Sequence, residues 1–434
     1  MLYLRFEAMP TRITIENQFE PVAQLPYPAI TLCSPNQMTI SAMEHFNDTL
    51  VNGNRSVDIQ YILPQLLGFY QLMTVDVDSL AQLQSLIEAN RYSVPDVMVM
   101  LAQNCDDFLR VCIFKQRLYP HCRGLFRPIL TKHGLCCIFN SMYHYKKNRR
   151  NEHDREFKPL LIGTTGFNDG LVVITDFNPA NALDYTIPGA GATRVMYTDW
   201  TEFPADDESM LIPPNTESLH LLFVTATYCS NDVRELPPFS RKCMFEGERQ
   251  LPFFWRYRNS DCDLLCLVRA VEERCHCLML YLPHLRLQQV CAVADIQCIM
   301  EAKLNLNEWL EKDRCECLRD CDSRRYRADI SVGNLNAAPY QYKALLMSKG
   351  YNKSSSVLLF YFPTPVYELL KQETVMSYTT LASNLGGVFG LCMGCSVISV
   401  MEICFYKYTA IRNCIQRRLH QRQRHRRSMP HYYD

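Results

Sequence analysis

The sequence predicts an α+β membrane protein: a cysteine-rich ectodomain of mixed strands and helices, then one transmembrane helix and a basic tail. Three observations carry this. First, residues 383–406 are an apolar run, and no charged side chain stands between Glu373 and Glu402. About 20 such residues cross the hydrocarbon core of a bilayer. Second, Lys407, Arg412, Arg417, Arg418, Arg422, Arg424, Arg426 and Arg427 follow, with only Asp434 against them, which assigns the C terminus to the cytoplasm. Third, 17 of the 21 cysteines lie between Cys33 and Cys321, a density that belongs to an oxidised extracellular domain.

Composition narrows the function. The 45 basic and 45 acidic residues cancel, but the tail holds eight basic and one acidic, so the rest of the chain carries −7 by subtraction. That balance offers nucleic acid no basic face. Asn47, Asn54 and Asn352 open glycosylation sequons compatible with an extracellular domain. Met1–Phe6 is neither a signal peptide nor a span, so a further segment is expected upstream, and residues 1–10 read as the remnant that follows it.

Taken in order, residues 13–16 and 27–32 read as strands separated by Pro21 and Pro26. Residues 57–67, 80–89 and 97–101 are apolar at helical spacing, the pattern of helix core. Cys112 and Cys122 enclose a short loop, and Cys136-Cys-Ile-Phe-Asn140 opens a strand. The run from Lys146 to Arg155 mixes both signs and reads as a solvated loop. Residues 170–175, 194–197 and 219–227 read as strands. Asp206-Asp-Glu208, with Glu202 nearby, could raise one another's proton affinity by like-charge repulsion, but an ordinary solvated loop is the simpler reading. Residues 261–271 are helical and carry Cys262 and Cys266; Cys275, Cys277, Cys291, Cys298, Cys315, Cys317 and Cys321 follow. Paired Cys-x-Cys elements can hold zinc, yet in an exported domain disulfides account for them better. Residues 326–332 and 357–362 read as strands leading to the apolar run. No phosphate loop, nucleophile elbow or His-Glu-x-x-His is present, so the chain reads as no enzyme.

Within the run, Gly386, Gly387, Gly390 and Gly394 recur at three- and four-residue spacing, with Ser383, Asn384, Ser396 and Ser399 among them. Small residues suit close helix packing in lipid. They equally suit a pore lining in which glycine lets a helix break and frees carbonyls toward water.

Together the parts resemble the degenerin/epithelial sodium channel family, most of all its pickpocket branch. Tyr27-Pro-Ala-Ile-Thr-Leu-Cys33 resembles the segment that follows the family's first span, and Cys136-Cys-Ile-Phe-Asn140 its Cys-x-x-Phe-Asn strand. Gly170-Leu with Asp184-Tyr185 is similar to the palm segment after it, and Cys243 to Cys321 to the thumb with its cysteine ladder. Ser383-Asn-Leu-Gly-Gly387 and Gly394-Cys-Ser396 resemble the gate and the Gly-x-Ser selectivity filter.

The resemblance implies a β-sheet palm and β-ball with helical finger (about 37–135) and thumb (about 243–321), together an ectodomain over 11–374. A second transmembrane helix with the filter over 375–406 and a cytoplasmic tail over 407–434 would follow. The family's first span and its His-Gly segment are not in the sequence, and Arg241-Lys242 precede Cys243 where acid-sensing relatives have a Trp.

The resemblance also implies the pairs Cys33–Cys136, Cys112–Cys122, Cys243–Cys321, Cys262–Cys317, Cys266–Cys315, Cys275–Cys298 and Cys277–Cys291. Cys105, Cys137 and Cys229 are left over, and Cys137–Cys229 is the expected bridge among them. By the same resemblance the chain is a subunit of a homo- or heterotrimeric, amiloride-sensitive, sodium-permeable channel of the plasma membrane, gated through its ectodomain. Gly394, Cys395 and Ser396 would be the filter, Ser383, Gly386 and Gly387 the gate, and Glu402 a pore-exit acid or the partner of Lys407 or Arg412. No cofactor and no metal is implied; Na⁺ is the conducted ion, and membrane lipid and related subunits are the partners. The alternative is a non-conducting single-span receptor or assembly subunit that keeps the same ectodomain.

Overall fold

The computed structural model describes residues 10–427 except 51–57, 147–149, 185, 188, 206–208, 287–288, 314, 340, 342–350, 376–377 and 395. The chain divides into two compact units. One comprises residues 13–229 and 242–372; the other comprises the N-terminal residues to Arg12, Ser230–Arg241 and Glu373–Asp434.

The larger unit is built on two sheets. In the first, the strand order is Thr11–Pro21, Val366–Thr374, Thr216–Cys229, Ser355–Tyr361, Leu171–Asp176, Leu109–Phe114 and Arg117–Tyr119. Ser323–Asn334 also pairs antiparallel along Thr216–Cys229, from Thr216↔Asn334 to Thr227↔Ser323. Along Thr216–Cys229, Thr216, Ser218, His220, Leu222 and Val224 are buried and the residues between them are more open. That alternation is the period of a strand with one face on the core. The second sheet runs Met210–Ile212, Thr193–Thr198, Ala29–Cys33, Gly134–Phe139 and Phe126–Thr131. Its central strands Ala29–Cys33 and Gly134–Phe139 are buried at every position, which is why they are continuously apolar.

An aromatic cluster fills part of this core. Tyr27 meets Phe114, Phe139 and Phe362 edge-on at 5.4–5.9 Å, and its hydroxyl donates to the Phe360 carbonyl (3.3 Å). Burial pushes that hydroxyl's pKa up.

Helices lie outside the sheets. Thr39, Asp76 and Ser93 cap the helices Ile40–Thr49, Val77–Ala89 and Val94–Leu101 by accepting backbone N–H bonds. Ser93 and Asp96 form a reciprocal capping box. The expected helix over 57–67 is narrower: Ile59–Ile62 tightens into a 3₁₀ turn, Leu63–Phe69, at Pro64, which has no N–H to continue an α ladder. Between Cys243 and Cys321 lie the helices Asn259–Cys275, Ile296–Leu304 and Leu306–Asp313. Leu265, Val268 and Val271 share one hydrophobic core with Leu83, Ile87, Leu101, Ile296 and Ile299.

Eight disulfides staple the unit: Cys33–Cys136, Cys105–Cys137, Cys112–Cys122, Cys243–Cys321, Cys262–Cys317, Cys266–Cys315, Cys275–Cys298 and Cys277–Cys291. The expected Cys137–Cys229 bridge is therefore wrong. Cys137 is taken by Cys105, with Cα atoms 5.7 Å apart. Cys229 keeps its thiol, buried against the Cys321 carbonyl (3.4 Å) and Gln372 Oε1 (3.6 Å).

The mixed-charge run after Tyr143 is also not simply a solvated loop. Tyr143–Lys146 and Arg150–His153 form a hairpin. In it Lys146 (2.6 Å) and Arg150 (3.2 Å) bracket the nearly buried Glu152 and hold its carboxyl below the usual range.

Candidate pore segment

The smaller unit contains the apolar run, and the run is not one helix. Tyr378–Met393 is followed by a break and then by Val397–Arg427. Sixteen residues at about 1.5 Å each reach about 24 Å, short of the roughly 30 Å hydrocarbon core. The second helix turns basic from Lys407, its eleventh residue. Accordingly, among the described residues no helix is long and apolar enough to cross a membrane, in contrast to the single continuous span that the sequence predicts.

The break follows from Gly394 and Ser396. The Gly394 N–H still donates to the Gly390 carbonyl (3.0 Å), but its φ of 65° is left-handed. Glycine ends helices in this way because it has no Cβ to clash. Ser396 then starts the next helix. Its Oγ accepts from the Ser399 N–H (3.3 Å), and its own N–H donates to Ser399 Oγ (3.4 Å). This is the logic of a capping box with serine in the return position. A helix end and a helix start thus meet within three residues, where the last carbonyls of one helix and the first N–H groups of the other have no partners within their own helices. In a bilayer such backbone is tolerated where it is buried in protein or lines water.

The other expected residues lie on these helices. Ser383, Gly386 and Gly387 are exposed on Tyr378–Met393, and a side chain built at either glycine would meet nothing within 4 Å. Glu402 is exposed on the second helix, five residues after Val397. Cys395 lies outside the described residues. Around the break the apolar side chains are uncovered: Leu391 is 91% exposed, Ile398 69%, Met401 64% and Phe405 64%. So contiguous an apolar coat needs a cover of lipid or protein.

Of the sequons, Asn47 is exposed on Ile40–Thr49. Asn352 donates its amide to Asp176 Oδ2 (2.9 Å) and accepts from Ser354 and Ser355. Asn54 is outside the described residues.

Sequence reasoning missed a buried ionic network in the larger unit. Arg324 Nε donates to Asp199 Oδ2 (2.7 Å). Arg258 donates to Thr201 Oγ1 (2.9 Å) and pairs with Glu246. Glu202 belongs to this network. Burial, then the Asp199 charge, raises its pKa to about 7, a different origin from the neighbouring acidic run, whose residues 206–208 lie outside the described set. The acids stand at 199, 202, 246, 261 and 320, too scattered for any local motif.

Comparison with known proteins agrees with this architecture. A family profile described as amiloride-sensitive sodium channel matches residues 1–406. The sodium channel protein Nach of Drosophila melanogaster is 25% identical over 93% of this chain and 77% of its own length. Pickpocket protein 28 of the same fly is 26% identical over 99% of this chain and 73% of its own. Acid-sensing ion channel 4-B of Danio rerio is 24% identical over 91% and 65%. With its profile match running from the first residue through the broken apolar stretch, the chain belongs to the amiloride-sensitive sodium channel family.

Proposed function

We propose that this chain is a subunit of a trimeric, sodium-permeable, amiloride-sensitive channel of the plasma membrane, gated through its extracellular domain. The helix break at Gly394–Ser396 carries the reading. Three such breaks around an axis would set rings of carbonyl and hydroxyl oxygen at one depth, and hard oxygen ligands of that kind replace part of the hydration shell of Na⁺. The uncovered apolar side chains on both sides of the break support a lipid setting. Ser383, Gly386 and Gly387 would form the gate where the helices converge. Glu402, below the filter, would add a carboxylate ring that favours cations.

The test is Ser396→Ala in channels made from the full-length transcript. Losing the cap costs about 1 kcal/mol per subunit, and the reversal potential should move toward that of K⁺. An unchanged Na⁺ to K⁺ preference would refute the filter assignment. A trimer that reaches the surface and carries no cation current would instead be a non-conducting receptor or assembly subunit.

A further inference from the structure

Two histidine rings from separate parts of the larger unit meet edge to face. His153 ends the hairpin strand Arg150–His153, and His284 lies between the helices Asn259–Cys275 and Ile296–Leu304. The ring centroids are 4.3 Å apart at 82°, and His153 Nδ1 stands 2.5 Å from His284 Nε2. The backbone on both sides is fixed by Asn151, which is 1% exposed. Its carbonyl accepts the His284 N–H (2.8 Å), and its side-chain amide donates to the Leu130 and Tyr281 carbonyls (2.6 Å each). Tyr143 meets the His153 ring edge-on at 6.1 Å, and Trp255 stacks on it at 6.4 Å. Side chains held in this way are positioned before any ligand arrives.

Neither ring is sealed from solvent. Burial is the main cause that lowers both pKa values, that of His153 to about 4 with the His284 and Arg155 charges adding to it. Both rings are therefore neutral at pH 7. Arg155 Nε donates to His153 Nε2 (3.3 Å), so the one proton of the His153 ring is on Nδ1 and is donated to His284 Nε2.

We propose that His153 and His284 form a binding site for an imidazole-seeking divalent cation such as Zn²⁺, which ties the hairpin Tyr143–His153 to the segment that carries His284. Neutral imidazole is a ligand that Zn²⁺ and Cu²⁺ favour. Two nitrogens bound to Zn²⁺ at about 2.0–2.1 Å in a tetrahedral arrangement lie about 3.3 Å apart, so the rings need to part by only about 0.8 Å. The Nδ1 proton of His153 then moves to Nε2, and Arg155, which is exposed, swings away from it. Among the described residues no third His, Cys, Asp or Glu converges with the pair, so water fills the remaining positions.

The inference does not depend on conduction. Zn²⁺ is titrated calorimetrically into the detergent-solubilised full chain at pH 7, made without a histidine tag and with its exposed thiols alkylated. One saturable site should appear. His153→Gln with His284→Gln should weaken it by more than about tenfold, the lower end of what even an outer-shell partner contributes. Arg155→Ala should tighten it, because the change removes a competing donor and a nearby positive charge. No saturable site, or an unchanged affinity in the double variant, would leave the pair as a hydrogen bond only and overturn the proposal. Should the double variant fail to fold, Arg155→Ala decides, since that side chain is on the surface: an affinity that does not rise overturns the proposal as well.

Discussion

Replacing His220 with Phe should change how the protein responds to acid. His220 is fully buried on Thr216–Cys229. Its Nδ1 meets the Tyr197 hydroxyl (2.5 Å), its Nε2 meets Ser218 Oγ (2.8 Å), and its ring stacks on Phe360 at 4.5 Å. Burial lowers its pKa to about 3. Below its ordinary value of about 6.5 the unfolded chain takes up a proton that the folded ring refuses. The stability this group confers is thus full above about pH 6.5 and declines as pH falls toward 3. At about 1.4 kcal/mol per unit, the decline between pH 6.5 and pH 4 is about 3 kcal/mol. Phe fits the stack but abandons the Tyr197 and Ser218 hydroxyls, a pH-independent cost of about 1–3 kcal/mol for each. Denaturant unfolding of both proteins with disulfides intact separates the two effects. Phe should be the less stable at pH 7, and the gap should shift in its favour by about 3 kcal/mol by pH 4. A gap that stays constant with pH would refute the assignment of a neutral, proton-refusing His220.

Two further predictions are independent of this one. Non-reducing peptide maps should recover a Cys105–Cys137 peptide, with Cys229 alkylated only after denaturation; Cys105→Ser should cost about 3 to 4 kcal/mol through the 32-residue separation it no longer closes, and a Cys137–Cys229 peptide would contradict the fold. Ser383→Trp should hold the proposed gate open and raise the resting current, because the bulky ring obstructs closure where three helices converge; an unaltered resting current would remove Ser383 from the gate.

How much of this was legible in the sequence depended on where each element's stabilisation comes from. Ala29–Cys33 and Gly134–Phe139 were readable because strands buried on both faces must be apolar throughout. The first strand was read only over 13–16, yet it spans Thr11–Pro21, and none of its own residues is buried. Its side chains carry little pattern, since it lies at the sheet edge beside Val366–Thr374 and is held chiefly by its backbone. The hairpin after Tyr143 read as a loop because its charges look solvated. Tertiary placement of Glu152 between Lys146 and Arg150 turns those charges inward. The same holds for the Asp199–Arg324 ion pair, whose members are 125 positions apart. In the candidate pore, hydropathy alone treats 383–406 as one span. Only the pairing of a left-handed glycine with a serine cap shows that the helix must stop and restart there.

The most direct test of the channel reading uses Cys395, between those two residues. Whole-cell current from the full-length transcript, with relatives coexpressed where needed, should be blocked irreversibly when a charged, membrane-impermeant thiol reagent is applied from outside. Cys395→Ser should conduct and resist the reagent. Block in the wild type with protection in Cys395→Ser is the result this account predicts. A robust cation current that the reagent leaves untouched in both would mean that water does not reach residue 395, and would contradict a filter at Gly394–Ser396.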